Sequence, residues 1–184
     1  MVGEDTDKFV IPVPQFNLVN GGLHATNSLP FQEFMIMPVG ASSYKEAVRI
    51  GSECYFALKK ILTGKYINSG NVGMDGGLVP DFESNKQTLD CLVEAIELAG
   101  HSQKVLLAID IAATCFYDEE TQLYNLGFVN SESEKKRTYD RQDMIDLYAR
   151  LKDQYPLVSV EDPFDQDDFE SYAGLHEALG DEVR

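Results

Sequence analysis

The chain has 184 residues, 43% hydrophobic and 25% charged, enough for one globular domain with a sizeable core. Its 31 acidic and 15 basic side chains give a formal net charge of -16, which argues against nucleic acid or an anionic membrane as the main partner, because phosphate surfaces require a basic counterpart. An acidic chain still accepts an anionic metabolite where bound metal ions supply positive charge locally.

Two short apolar runs open the pattern, Phe16 to Asn20 and Phe34 to Met37. They read as strands punctuated by Gly21-Gly22 and Pro38. The polar loop between them, Leu23 to Gln32, holds His24, one of three histidines. A helix is predicted from about Tyr44 to Leu62, with Ser43 and Glu46 as a capping box and Ala47, Ile50, Cys54, Leu58 and Ile61 on one stripe. Residues 63 to 83 read as loop, rich in Gly and Asn. A second helix is predicted from about Lys86 to Ala99. Ser84 and Gln87 cap it, Leu89, Leu92, Val93 and Ile96 form its buried face, and Gly100 stops it. The apolar run Val105 to Asp110 is the next strand.

Phe116 to Phe128 alternates weakly and predicts a small hairpin, followed by a charged, solvated loop from Ser131 to Arg137. A third helix is predicted from about Arg141 to Gln154, with Met144, Leu147, Tyr148 and Leu151 inward and Pro156 ending it. A strand from Leu157 to Asp162 and a helix from about Asp168 to Leu179, stopped by Gly180, complete the series. The order is ββαα, then βα, then βα. Such units predict an α/β fold built on a parallel sheet with right-handed crossovers. Only four barrel strands are counted, whereas a closed (β/α)8 barrel takes ~250 residues, so open strand edges are expected.

Cys54, Cys91 and Cys115 are far apart, with no CxxC or Cys/His cluster. They read as reduced packing residues of a cytoplasmic protein. No run of 18 apolar residues occurs, so no transmembrane helix is expected. The N-terminal residues lack the apolar core of a signal peptide.

Asp110 and Glu161 each end an apolar strand. In α/β barrels that end faces the site, and two carboxylates in equivalent places point to a shared cation. Oxygen-only ligands favour Mg²⁺. The plainer reading is that Asp110 caps a helix and Asp162-Pro163 starts a turn. His24, after Gly21-Gly22, is either a surface histidine or a loop ligand. Glu33 is either exposed at a strand start or chemical. The loop Gly70 to Gly77 is not a phosphate-binding P-loop, since no Gly-Lys-Ser/Thr follows. It is either a flexible turn or a mobile loop carrying Asp75 over a substrate.

Taken together, the segments VPQFNLVNGGLHA, FQEFMIMPVGA, RIGSECY, SGNVGMDGGLVP, LLAIDIAA and YPLVSVEDPF, in this order and spacing, resemble enolase (phosphopyruvate hydratase). The resemblance runs from about Val13 to Arg184. It implies a lead-in segment over residues 1–12 and, over 13–184, the first half of a ββαα(βα)6 TIM barrel, without the family's small N-terminal α+β domain. The implied reaction is Mg²⁺-dependent dehydration of 2-phosphoglycerate to phosphoenolpyruvate in glycolysis. A lysine takes the C2 proton and Mg²⁺ stabilises the enolate. Asp110 and Glu161 resemble two of three Mg²⁺ carboxylates, Glu161 also facing substrate. Glu33 resembles the carboxylate that helps the leaving hydroxyl, Gln32 a substrate-contacting amide, and His24 the loop histidine that closes on substrate. A homodimer in the cytoplasm is the implied state of the complete protein.

Two departures stand out. The family's loop reads Gly-Asp-Glu-Gly-Gly, its Glu being the acid/base partner, whereas this chain reads Gly-Met-Asp-Gly-Gly. Asp75 is shorter by roughly 1.5 Å of reach, and a misplacement of about 1 Å can cost ~100-fold in rate. The base lysine, third metal carboxylate and phosphate-binding Arg-Ser pair of the family have no counterpart in these residues. Three readings follow: a piece of a glycolytic enolase that works only within the complete fold, an enolase-like pseudoenzyme with a structural or interaction role, or an unrelated Mg²⁺ barrel enzyme. The motif order speaks against the third, Met74-Asp75 draws toward the second, and the first is favoured for the family function.

Overall fold

The computed structural model describes residues 9–66, 69–127 and 138–184. Four strands, β1 (Phe16–Asn20), β2 (Glu33–Met37), β3 (Leu106–Asp110) and β7 (Leu157–Glu161), form one sheet in the order β1-β2-β3-β7. Three shorter strands, β4 (Tyr117–Asp118), β5 (Leu123–Asn125) and β6 (Thr138–Tyr139), form a second. The helices are α1 (Tyr44–Leu62), α2 (Asn85–Leu98), α3 (Arg141–Gln154) and α4 (Phe169–Leu179).

The helix boundaries follow from local chemistry. The Ser43 hydroxyl accepts the Glu46 N–H at the start of α1, and Ser84 accepts the Gln87 N–H at the start of α2. These caps satisfy N–H groups that have no partner in the first turn. Only half of the expected Ser43–Glu46 box forms. The Glu46 carboxylate instead accepts from the Ser42 N–H at 2.7 Å and from Lys104 at 2.6 Å. Asp140 and Asp143 make a reciprocal box at α3. Gly100 and Gly180 follow α2 and α4 with φ of +78° and +61°, a region open to glycine at little cost.

The sheet is mixed, not the all-parallel sheet that the βα pattern predicted. β1 and β2 are antiparallel, β2 and β3 are antiparallel, and only β3 and β7 are parallel. The reason is parity. One helix between two strands returns the chain to start the next strand in the same direction. The α1–α2 pair between β2 and β3 reverses the chain once more, and the loop from β1 to β2 contains no crossover helix.

Alternation along the strands separates two faces. Phe34, Ile36, Leu107 and Ile109 are fully buried in one cluster with Ile50, Cys54 and Leu58 of α1 and Leu89, Leu92 and Ile96 of α2. Burying each Leu, Ile or Phe contributes about 1.5–3 kcal/mol. Tyr148 of α3 and Leu175 of α4 extend the same core. Residues of the other face close toward one another. The Gln15 amide, just before β1, lies 3.4 Å from the Ser159 hydroxyl on β7, so the sheet curls into a trough.

Both edges of the sheet are partly covered, where open edges were expected. Leu78 forms a parallel bridge with β1, its N–H donating to Leu18 O and its carbonyl accepting Asn20 N–H. Arg184 pairs with β7 in the same manner, through Val158 O and Val160 N. The weak alternation after Phe116 yields β4 and β5, paired antiparallel, with β6 added as an unforeseen third strand. Phe128 and the charged loop Ser131 to Arg137 lie outside the described residues. Cys54 and Cys91 are buried as expected, but Cys115 is exposed.

Glu46 provides a test of the fold. Its hydrogen bond with Lys104, then those from Ser42, hold its carboxyl at about 2, below the ordinary 4.5. A carboxyl lowered on folding adds stability above its unfolded value and loses it as pH falls through the folded value. Glu46→Gln is therefore expected to melt below the unaltered chain at pH 6, with the gap closing between pH 4.5 and 2. Thermal melts across that range check it.

Candidate active site

Register places four polar side chains in one row. Asn20 pairs with Glu33 across β1 and β2, Glu33 with Asp110 across β2 and β3, and Asp110 with Glu161 across β3 and β7. Because β2 runs against its neighbours, its first residue stands beside their last, and all four occupy one rim of the sheet.

Asp110 is buried at 7% exposure and Glu161 is exposed. The backbone turns sharply beyond both, with Ala112 at φ 49° and Asp162 at φ 43°, a conformation uncommon for residues other than glycine. The Asp110 carboxylate accepts the Ala112 N–H at 2.8 Å and the Gln32 amide at 3.4 Å, which fixes its orientation. Burial pushes Asp110 up to about 6, against the Ala112 N–H bond and with added repulsion from Glu161 and Asp162. Two carboxylate side chains from adjacent strands, one of them buried, are oxygen donors of the kind that suits a hard cation such as Mg²⁺. Residues Gln32, Asp110 and Glu161 of the sequence reading thus come together at one rim.

His24, Glu33 and Asp75 converge separately. Each offers one ligand atom within 4.8 Å of the others. His24 Nδ1 is 3.5 Å from Asp75 and 3.9 Å from Glu33, and Nδ1 itself is buried without a hydrogen-bond partner. Asp110 and Glu161 do not belong to this compact group of three. Glu33 is raised to about 8, first by burial, then by its hydrogen bond with Asp75 and by the charges of Asp75, Asp110 and Glu161. Burial works on Asp75 in the same direction, but hydrogen bonds from Glu33, Asn20, its own backbone and Asn17 outweigh it and hold Asp75 below its usual range. The two carboxyls are thus driven apart in proton affinity, Glu33 upward and Asp75 downward, the arrangement of a pair that holds one proton between them. A protonated carboxyl beside an ionised one can give and accept a proton in turn.

Asp75 reaches this position because its loop is fastened at both ends. Val72 bridges to Leu78, Gly73 N–H donates to Gly77 O at 2.8 Å, and Leu78 is bonded to β1. Buried Asn27 ties the β1–β2 loop to the same place, donating to Asn20 O and Pro80 O. The segment is therefore not the freely mobile turn that its glycines allowed. Its glycines are needed for close approach: a Cβ on Gly77 would stand 1.9 Å from the Asn20 amide oxygen. Met74, where the family motif has an acid, is 84% exposed and stands apart from the acid pair.

Sequence reasoning missed Asn17 and Asn20. Asn17 donates to Asp75 at 3.0 Å, and Asn20 donates to its other oxygen. The available signal was two amides within an otherwise apolar strand, FNLVN, since a buried polar group requires a partner.

The sequence model of the family described as "Enolase, C-terminal TIM barrel domain" matches residues 8–184. A protein of Eimeria tenella named enolase is 45% identical over 185 aligned residues, covering 100% of this chain and 42% of that protein. One of Solanum lycopersicum, also named enolase, is 44% identical over 178 residues, covering 96% of this chain and 40% of its own length. The chain spans about two-fifths of the length of these curated relatives.

Two stability predictions arise from the site. Gly77→Ala is expected to cost about 1–3 kcal/mol by forcing Asn20 aside. Gly70→Ala, where a Cβ meets nothing within 4 Å, is expected to stay within about 0.5 kcal/mol; denaturant titration of both variants checks this. Glu33 has a raised pKa, so its contribution to stability falls as pH rises from 4.5 toward about 8. Glu33→Gln in metal-free buffer is therefore expected to gain in melting temperature over the unaltered chain as pH rises through that window.

Proposed function

The chain belongs to the enolase family, and we propose that it supplies one wall of a Mg²⁺-dependent phosphopyruvate hydratase site, in which 2-phosphoglycerate loses water to give phosphoenolpyruvate. The observation that carries this reading is the single rim on which Glu33, Asp110 and Glu161 stand in register, with His24 and Asp75 closing beside Glu33.

The residues divide into two chemical halves. Asp110 and Glu161 would hold Mg²⁺, with Gln32 and the Ala112 N–H orienting Asp110. When bound, Mg²⁺ supplies positive charge against which the substrate carboxylate and the charge developing on it are neutralised. Glu33, whose carboxyl its surroundings push up to about 8, is the group suited to give a proton to the leaving hydroxyl. Giving up that proton leaves Glu33 and Asp75 both ionised, and a proton taken from water would return the pair to its starting state, with Asp75 accepting the hydrogen bond from Glu33 again. His24 turns its Nδ1 toward Asp75 at 3.5 Å, and the partly exposed remainder of its ring is suited to meet a substrate oxygen beside the pair.

A second reading, an enolase-like protein with a structural or interaction role, draws on Met74-Asp75 in place of the family's Asp-Glu. Against it, Asp75 is in contact with Glu33 and His24, and Met74 lies outside the acid pair. We further place the working protein in the cytoplasm as a homodimer, with a small anionic substrate and no nucleic acid or membrane partner, in keeping with the charge of -16.

Incubation of the protein in its natural flanking sequence with 2-phosphoglycerate and Mg²⁺ tests the reading. Phosphoenolpyruvate is expected, and Glu33→Gln and Asp110→Asn are each expected to lower kcat by about 10²–10⁴-fold. The 184 residues by themselves are expected to form none. Their described lysines lie on α1, α2 and α3, in the turn after α1 and in the turn before β3, so no described lysine stands at the rim to take the C2 proton. Product from the 184 residues alone would refute that division of labour. No product from the protein in its natural sequence would refute the assigned reaction.

A further inference from the structure

We propose that Asn17 and Asn20 are positioning residues, an amide clamp that draws the short side chain of Asp75 onto Glu33 and His24 and so makes an aspartate serviceable at this position. The proposal rests on the reading of Asp75 as the proton partner of Glu33.

Both oxygens of Asp75 are held from below, one by the Asn20 amide and the other by the Asn17 amide at 3.0 Å. The two amides are linked to each other, Asn17 Nδ2 lying 3.3 Å from Asn20 Oδ1. Asn17 Oδ1 is buried and accepts nothing. Turning the amide over would set that oxygen against the Asp75 carboxylate, so the side chain leaves its acceptor unsatisfied to keep the donor on Asp75. An unmet buried acceptor is costly, and the arrangement persists only because the donor is engaged by a charged partner.

The clamp is itself immobilised. Asn20 has no exposed surface. Its N–H donates to Leu78 O, its carbonyl accepts from Asn27, and its amide is wedged against Gly73 and Gly77. The position of Asp75 is thus transmitted from the β1 backbone through two side chains, beside a bond to its own backbone and a Tyr55 hydroxyl that donates to Gly76 O at 3.2 Å. Met74 is exposed, and Gly76 has φ of +94° with nothing near its Cβ position. A glutamate at 75 would span the distance with its extra methylene and would depend less on being pulled inward.

That difference is the test. In the protein with its natural flanking sequence, Asn17→Ala is expected to reduce kcat for 2-phosphoglycerate dehydration by about 100-fold, with KM changing by less than about threefold, as for a displaced catalytic group. In an Asp75→Glu background the same change is expected to cost less than about tenfold. Asn17→Asp keeps the shape of the side chain and replaces the donor by a like charge; it is expected to lose at least as much as Asn17→Ala. A readout independent of turnover is the carboxyl carbon resonance of Asp75 in protein labelled at aspartate. It is expected to shift in Asn17→Ala and to stay in Gln122→Ala. An equal loss of kcat in both backgrounds, or an Asp75 resonance unmoved by Asn17→Ala, overturns the clamp. If the unaltered protein forms no phosphoenolpyruvate, the assigned reaction is what has failed, and the resonance alone decides the clamp.

Discussion

Backbone pairing among β1, β2, β3 and β7 is the constraint on which the site depends. Hydrogen bonds between main chains, indifferent to side-chain charge, bring Asn20, Glu33, Asp110 and Glu161 into adjacent positions on one rim. Slipping any strand by one residue would turn its acid to the opposite face, toward the helices. The buried residues Phe34, Ile36, Leu107 and Ile109 prevent that slip, because the same shift would expose them. The apolar face thus pins the polar one, and the cost of crowding carboxylates is offset by a core that has no chemical task.

That crowding has an electrostatic signature. Glu33 rises to about 8 and Asp110 to about 6, in both cases chiefly through burial, while Asp75 goes the other way through its hydrogen bonds. Three neighbouring acids acquire three different proton affinities because their surroundings differ: burial beside a second carboxyl for Glu33, burial against a fixed N–H for Asp110, two amides for Asp75. Such a spread gives one residue type several proton affinities within one site. A net charge of -16 adds to the repulsion, which a cation at Asp110 and Glu161 would relieve.

Much of this was legible in the sequence where the signal was local. Ser43, Ser84 and Gly100 mark helix ends through contacts within four residues, and the predicted spans of α1 and α3 match their observed bounds. The two strand-terminal acids stood out because an apolar run delivered each to a barrel rim. What escaped was set by distant partners. The direction of β2 depends on the parity of the helices that follow it. The bridge from Leu78 to Val19 of β1 joins residues far apart in the chain without a recurring pattern. Asn17 and Asn20 read as ordinary strand residues until the loop at 73–77 is folded over them. The resemblance to a family named the acids by motif, yet it said nothing of the amides that hold one of them.

The bridge at Leu78 also bears on how the loop can move. Since Leu78 shares the hydrogen bonding of β1 and Val72 is tied to Leu78, the segment from 72 to 78 is in effect a narrow tab sewn to the sheet at its base. It cannot swing as a lid about a distant hinge without unzipping an edge of the trough. Excursions that leave the sheet intact are confined to its tip, Gly73 to Gly76, where one glycine already occupies a left-handed conformation. The range of motion allowed to Asp75 is then a few peptide units wide, and substrate would meet an acid whose travel is limited by the same backbone that sets the rim.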